Sequence, residues 1–225
     1  MTSFPGKLFA SDWFWSLGDI FLGMVLLLAI WLYAYREYFD TPKLVRRYRL
    51  IAKVAIWARI FYAGFLTWAQ YFVWNQGEMT RIFLTLPADD RSLPMYGLLA
   101  PLFKWSGGYF TFYSFLHFWL PALASIVIGY LFLLFLRSLR KYRDRFFEDG
   151  EVELGWILAL AVGYPSIIIF LPLVFFLIIP ISIMRMAVLK QHLTTIGYPM
   201  ILAAIPAVIW GPRLIVALGW SALIV

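Results

Sequence analysis

No cysteine occurs anywhere in the chain, so disulfides, thiolate metal sites and a cysteine nucleophile are excluded together. Histidine is nearly as scarce. His117 and His192 are the two present, too few to build a zinc site or a helix-borne pair of haem ligands. Charge is sparse, at 14% of residues against 63% hydrophobic. Low-complexity segments, fixed-period repeats and Pro/Gly-rich linkers are missing too. A basic, signal-peptide-like opening with a small-residue cleavage site is also absent from the first residues. What remains is a single membrane domain over residues 1–225, with no separate soluble domain of ordinary size.

What is abundant is apolar sequence in long runs. About 20 residues of helix cross about 30 Å of hydrocarbon, and several runs reach that length. The pattern predicts an all-α, polytopic helical bundle of about six transmembrane helices. The first is Leu17–Tyr35. The second is Ile51–Trp74, with Lys53 and Arg59 in its first turns; Lys53 can snorkel, and Arg59 needs a partner, a wet groove or a lipid phosphate. The third is Tyr109–Leu136, bent at Pro121. The uncharged stretch Leu154–Met184 is too long for one crossing and short for two. It reads as a short helix, a turn at Gly163-Tyr164-Pro165, and a return helix Ile167–Met184, because glycine permits the turn and a residue before proline avoids helix. Such a turn has to be buried in protein, since lipid cannot satisfy its amides. A last span, Ile196–Trp210, is expected to be broken by Gly211-Pro212-Arg213.

The net charge of +7 comes in blocks beside these runs: Arg36–Lys53, and Arg137, Arg140, Lys141, Arg143 and Arg145. Such collars point to orientation and anionic lipid rather than nucleic acid. By the positive-inside rule they face the cytoplasm, which starts the N-terminus outside a plasma (inner) membrane. The hairpin then brings residues 36–53, 137–153 and 185–195 to one face. Aromatic clusters, Trp13-Phe14-Trp15 and Tyr109-Phe110-Thr111-Phe112-Tyr113, suit an interfacial belt or a neighbouring subunit.

From the second basic block onward a family pattern emerges. Gly150-Glu151-Val152-Glu153-Leu154 precedes a short apolar helix and Gly163-Tyr164-Pro165. After a long apolar helix and a basic turn come Ile196-Gly197-Tyr198-Pro199 and Val208-Ile209-Trp210-Gly211. Over about 70 residues this order resembles the C-terminal half of the prepilin leader peptidases, membrane aspartic proteases that process type IV pilin precursors. Thr41-Pro42-Lys43-Leu44-Val45 lies where that family carries its first proline motif. The resemblance implies two catalytic aspartates at the cytoplasmic membrane edge, and neither is kept. Glu151 stands at the second position, Glu153 replaces the usual lysine and Glu148 the first glycine. Counting back from Pro42, Tyr35 stands at the first position, with Glu37 and Asp40 the nearest acids. A rival alignment uses Asp89 or Asp90, on the opposite side of the membrane. If Asp40 and Glu151 met, they would form an aspartate–glutamate dyad able to share a proton and activate water.

The expectation is therefore the family's scaffold without its proteolysis, in an assembly role. Two alternatives stay open: an accessory transmembrane subunit of a respiratory, photosynthetic or secretory complex, and an atypical aspartic peptidase. The partners expected are the lipid bilayer and other membrane subunits. No cofactor is expected beyond one candidate ligand, His117, which sits on an uncharged aromatic helix. It could ligate a haem or pigment, or hydrogen-bond to a neighbouring helix. The acids Asp144, Glu148, Asp149, Glu151 and Glu153 read as a solvated helix start favoured by the dipole, as a carboxylate site, or as a docking patch.

Overall fold

The computed structural model describes residues 16–88, 100–142, 147–189, 195–220 and 223. Trp13-Phe14-Trp15, Asp89, Asp90, Arg143, Asp144, Arg145 and His192 lie outside the described residues. Among the described residues the chain is all-α, without strands. The long helices are α1 (Leu17–Ala34), α2 (Thr41–Gln76), α3 (Gly108–Ser114), α4 (Leu120–Tyr142), α5 (Glu151–Val162), α6 (Ile167–Leu189) and α7 (Gly197–Ala217). A π-turn, Phe115–Trp119, joins α3 to α4 without a break. Five stretches are long and apolar enough to cross a membrane: α1, α2, α3 with α4, most of α6, and α7. This is a polytopic membrane protein. The sixth helix of the expected set, α5, has 12 residues. At about 1.5 Å per residue it extends only about 18 Å.

Contacts divide the chain into two compact units, one of residues 1–18 and 59–122, the other of 19–58 and 123–224.

The second unit is built around α5. Eleven residues of that helix, all but Trp156, are buried. A helix apolar all round belongs in a core, and α6 and α7 pack against it and against each other. The other helices contribute one stripe each. From α1 come Val25, Leu26, Ala29, Leu32 and Tyr33; from α2, Leu44, Tyr48, Ile51, Ala52 and Ala55. Both sets follow the i, i+4, i+7 spacing of one helical face. Their opposite faces expose large apolar side chains such as Leu27, Trp31, Val54 and Trp57, as lipid-facing positions require.

The expected hairpin after residue 154 is present. The helix stops at Val162, Gly163 takes φ 63°, and α6 starts at Ile167. Its orphan amide is satisfied within the protein: Tyr164 N donates to the hydroxyl of Ser125, a fully buried residue of α4, at 2.8 Å.

Three boundaries differ from the sequence reading. α2 begins at Thr41 rather than Ile51. Its first-turn proline, Pro42, forfeits only an amide that has no helical partner there, so the basic collar is part of the helix from Lys43 onward. α4 likewise continues to Tyr142. Gly211-Pro212-Arg213 does not end the last span, and α7 runs through to Ala217. Gly211 is where α7 passes Ser166, so closely that a Cβ would strike that side chain. Packing there holds the helix through a proline that breaks a single backbone bond. Just ahead of Pro121, where a bend is expected, the helix takes the π-turn in place of regular α-helical bonding.

The first unit is smaller. Trp74 lies among Phe83, Tyr109, Phe110 and Tyr113, with centroid separations of 5.0–6.2 Å. Trp119 Nε1 donates to Thr67 Oγ1 at 3.1 Å. α3 is entered through Gly107 (φ 85°) and Gly108. A Cβ on Gly108 would collide with the backbone carbonyl of Phe103, which no rotamer change can relieve. Gly108→Ala is expected to destabilise this unit by about 2 kcal/mol. Hydrogen exchange should report the loss at residues 100–119; unchanged protection there would refute it.

Candidate functional site

The charged collars converge at one end of the second unit. Glu151, the first residue of α5, is wholly buried, with 0% of its surface exposed. Gly150 makes the approach possible. Its φ of 86° turns the chain into the helix, and a Cβ there would press on the ring of buried Tyr48, 3.0 Å from Cε2. Both carboxylate oxygens of Glu151 accept hydrogen bonds. Oε1 takes the Tyr33 hydroxyl at 2.8 Å and the backbone N–H of Gly197 at 3.0 Å. Oε2 takes the backbone N–H of Glu148 at 3.0 Å. One side chain thus ties the end of α1, the start of α5 and the start of α7. Gly197 has to be glycine for this, since a Cβ would overlap the Tyr33 hydroxyl and Glu151 Oε1.

A second layer surrounds this contact. Arg36 bridges Glu148 at 2.5 Å, and its guanidinium lies 4.2 Å from the Tyr33 ring centroid and 5.6 Å from that of Tyr198. Arg185, at the end of α6, meets Tyr198 from its own position at 5.6 Å and reaches Thr195 Oγ1 at 3.5 Å. Buried Glu153 pairs with Arg49 at 3.2 Å. Asp149 accepts from Arg140 at 3.0 Å and from Thr41 at 3.2 Å.

Burial raises the Glu151 pKa above the usual carboxylate range; the bonds from Tyr33, Glu148 and Gly197 pull the other way without cancelling it. The first-turn acids Glu151 and Glu153 also face the positive end of the α5 dipole.

Of the residues singled out in the sequence, Glu151 lies at the centre of this arrangement. Asp40 lies in the same unit, at the N-cap of α2, where its carbonyl accepts from Leu44 N at 3.0 Å. Its carboxylate is exposed and pairs with Lys43 at 2.6 Å. The two acids therefore take different partners. His117 belongs to the other unit, in the π-turn. Its Nδ1 is 3.0 Å from the Tyr113 carbonyl, and its ring stacks on Tyr113 at 4.0 Å. A carbonyl only accepts, so Nδ1 is the donor in this contact, and Nε2 is the ring nitrogen outside it. Arg59, half-buried on α2, is also in that unit.

Tyr33, Arg36 and Gly197 were not singled out by sequence reasoning as parts of a site. Tyr33 reads as one aromatic among many at a span end, and nothing local marks it as the partner of a residue 118 positions away. Gly197 carries the one usable signal, a glycine just ahead of Tyr-Pro at the entry to an apolar helix. Among the described residues no group of three His, Asp or Glu side chains is placed to hold a metal ion. Compared with protein families, with characterised proteins and with solved structures, this chain finds no match.

Proposed function

We propose that this chain is a prepilin-peptidase-like protein of a plasma (inner) membrane that has given up proteolysis and serves in holding or assembling other membrane proteins. The basic collars at the Glu151 end face the cytoplasm in this reading, and α1 starts outside. The observation that carries the non-proteolytic half is the state of Glu151. A catalytic carboxyl pair shares a proton across a short contact and has to reach water and substrate. Glu151 is sealed from solvent, and both its oxygens are occupied by donors of the protein itself. The acids nearest to it in the chain are all paired, Glu148 with Arg36, Asp149 with Arg140 and Glu153 with Arg49. The network binds three helices into one rigid end, which suits a scaffold.

The test is incubation of the purified protein with a type IV pilin precursor. The expected result is no leader removal. Cleavage by the wild type that disappears in Glu151→Gln would overturn the proposal in favour of an atypical aspartic peptidase.

A second reading, an accessory subunit of a large membrane complex, draws on one feature. Tyr62, Phe65, Trp68 and Phe72 form a continuous stacked stripe on α2, with Trp68 exposed. Purification separates the two. A scaffold with its own rigid core stays monodisperse alone in detergent, whereas an obligate subunit is recovered only with its partners.

A further inference from the structure

Beyond the Glu151 network, the end of α4 borders a cavity of about 500 Å³ lined by Arg137, Arg140, Lys141, Val152 and Glu153. Three cations therefore face one carboxylate. The spacing of 137, 140 and 141 puts them on one helical face, and the start of α5 supplies the opposite wall. The charges are not equally committed. Glu153 is paired with Arg49 and Arg140 with Asp149. Among the described residues, neither Arg137 nor Lys141 is paired with a carboxylate. Among the described residues the cavity thus carries an excess of positive charge without a carboxylate partner.

The surface leading to it is apolar. Tyr130 and Leu134 lie one turn apart on the same face of α4 as Arg137 and Lys141, and both are exposed, as are Leu131 and Phe135 beside them. A free anion would use only the cations. A molecule with an anionic phosphate at one end and hydrocarbon at the other uses the whole face. The position matches, because the cations occupy the last two turns of a membrane-spanning stretch, where a headgroup would lie.

We propose that this cavity is a specific site for an anionic phospholipid, its phosphate held between Arg137 and Lys141 and an acyl chain lying along Tyr130 and Leu134. Arg137 supplies a planar fork matched to phosphate oxygens, and Lys141 a mobile point charge. The wall from α5 distinguishes the site from a bare basic collar, which attracts any anionic leaflet without retaining one molecule.

The experiment reads lipid retention. The full-length protein is reconstituted in phosphatidylcholine nanodiscs containing phosphatidylglycerol as the minor component, then released and examined by native mass spectrometry. Wild type is expected to retain one phosphatidylglycerol. The Arg137→Gln/Lys141→Gln variant is expected to lose about tenfold in retention. A control, Arg46→Gln/Lys53→Gln, removes the same charge from exposed positions on α2 and is expected to retain lipid like wild type. The charge-keeping exchange Arg137→Lys/Lys141→Arg guards against misfolding and is expected to retain lipid. Equal retention by wild type and the Gln pair overturns the site. So does an equal loss in the control, which would mean general electrostatics. Inorganic phosphate, added in lipid-free neutral detergent, is expected to give no thermal protection. Protection matching that of phosphatidylglycerol would overturn the lipid assignment in favour of a free anion.

Discussion

Glu151→Ala is expected to destabilise the second unit by about 3–5 kcal/mol, among the largest losses available to a single substitution here. The change removes the acceptor for three donors at once: the Tyr33 hydroxyl and the backbone amides of Gly197 and Glu148. The Tyr33 hydroxyl and the Gly197 amide are left buried and the Glu148 amide partly buried, and an orphaned buried donor costs about 1–3 kcal/mol. The truncation also opens a void at a fully buried position. Unfolding of the detergent-solubilised protein, followed by intrinsic tryptophan fluorescence, measures the effect. A loss below about 1 kcal/mol would show that the helix ends are held by something else.

The pH dependence of Glu151→Gln adds an independent reading. A carboxyl whose pKa is raised by folding favours the folded state most when it is protonated. Its contribution is complete below the ordinary glutamate range and is lost as pH rises through the raised value. Glutamine stays neutral throughout. The stability difference between wild type and Glu151→Gln should therefore move in favour of glutamine as pH rises from the acid side towards neutrality. Movement in the opposite direction would mean that the three donors outweigh burial at this carboxylate.

Gly197→Ala is the second large effect, expected to cost about 3 kcal/mol although it adds one methyl group. That methyl has no room. It would overlap the Tyr33 hydroxyl and Glu151 Oε1, the two partners of the shortest bond in the network. Neither is a loose chain end, since the Tyr33 ring also carries Arg36 on its face. Relief has to come from moving α7, whose buried residues Met200, Ile201, Ala203 and Ala204 are packed into the core. The Tyr33→Phe background supplies the check. It deletes the hydroxyl that the methyl strikes, so the double variant should be less destabilised than the two single losses combined. Simple additivity would mean that the strain lies elsewhere. By contrast, Gly155 faces Leu136 Cδ1 and Met200 Sδ, flexible ends that can swing aside, and Ala there should cost less.

Much of the helical plan is legible in the residues because it follows from composition and local chemistry. A run such as Ile167–Met184 can satisfy its amides in lipid only as a helix. Gly163-Tyr164-Pro165 stops one helix and starts the next by backbone preference alone. Helix ends near the membrane surface were less legible. Lys43 to Arg49 reads as a collar outside a span, yet the backbone remains helical through it, since leaving the hydrocarbon gives a helix no reason to stop. Gly211-Pro212 reads as a stop and is not one, because contact with Ser166 outweighs the loss of one backbone bond.

The site divides in the same way. Glu151 and its turn at Gly150 are visible in the chain, as an acid at a helix start preceded by a glycine. Their partners are not. Tyr33 carries no mark of role, and Gly197 only that of a glycine ahead of Tyr-Pro at a helix entry, because a hydrogen bond between helices depends on their rotation and depth, and apolar helices of similar composition can be rotated at little local cost. The residues alone determined that the chain enters a membrane as several helices, with its charge gathered in collars. Tertiary packing decided that α5 lies inside the unit and that Glu151 is buried among donors, since only the close approach of separate helices removes water from a carboxylate and supplies three N–H and O–H groups in its place.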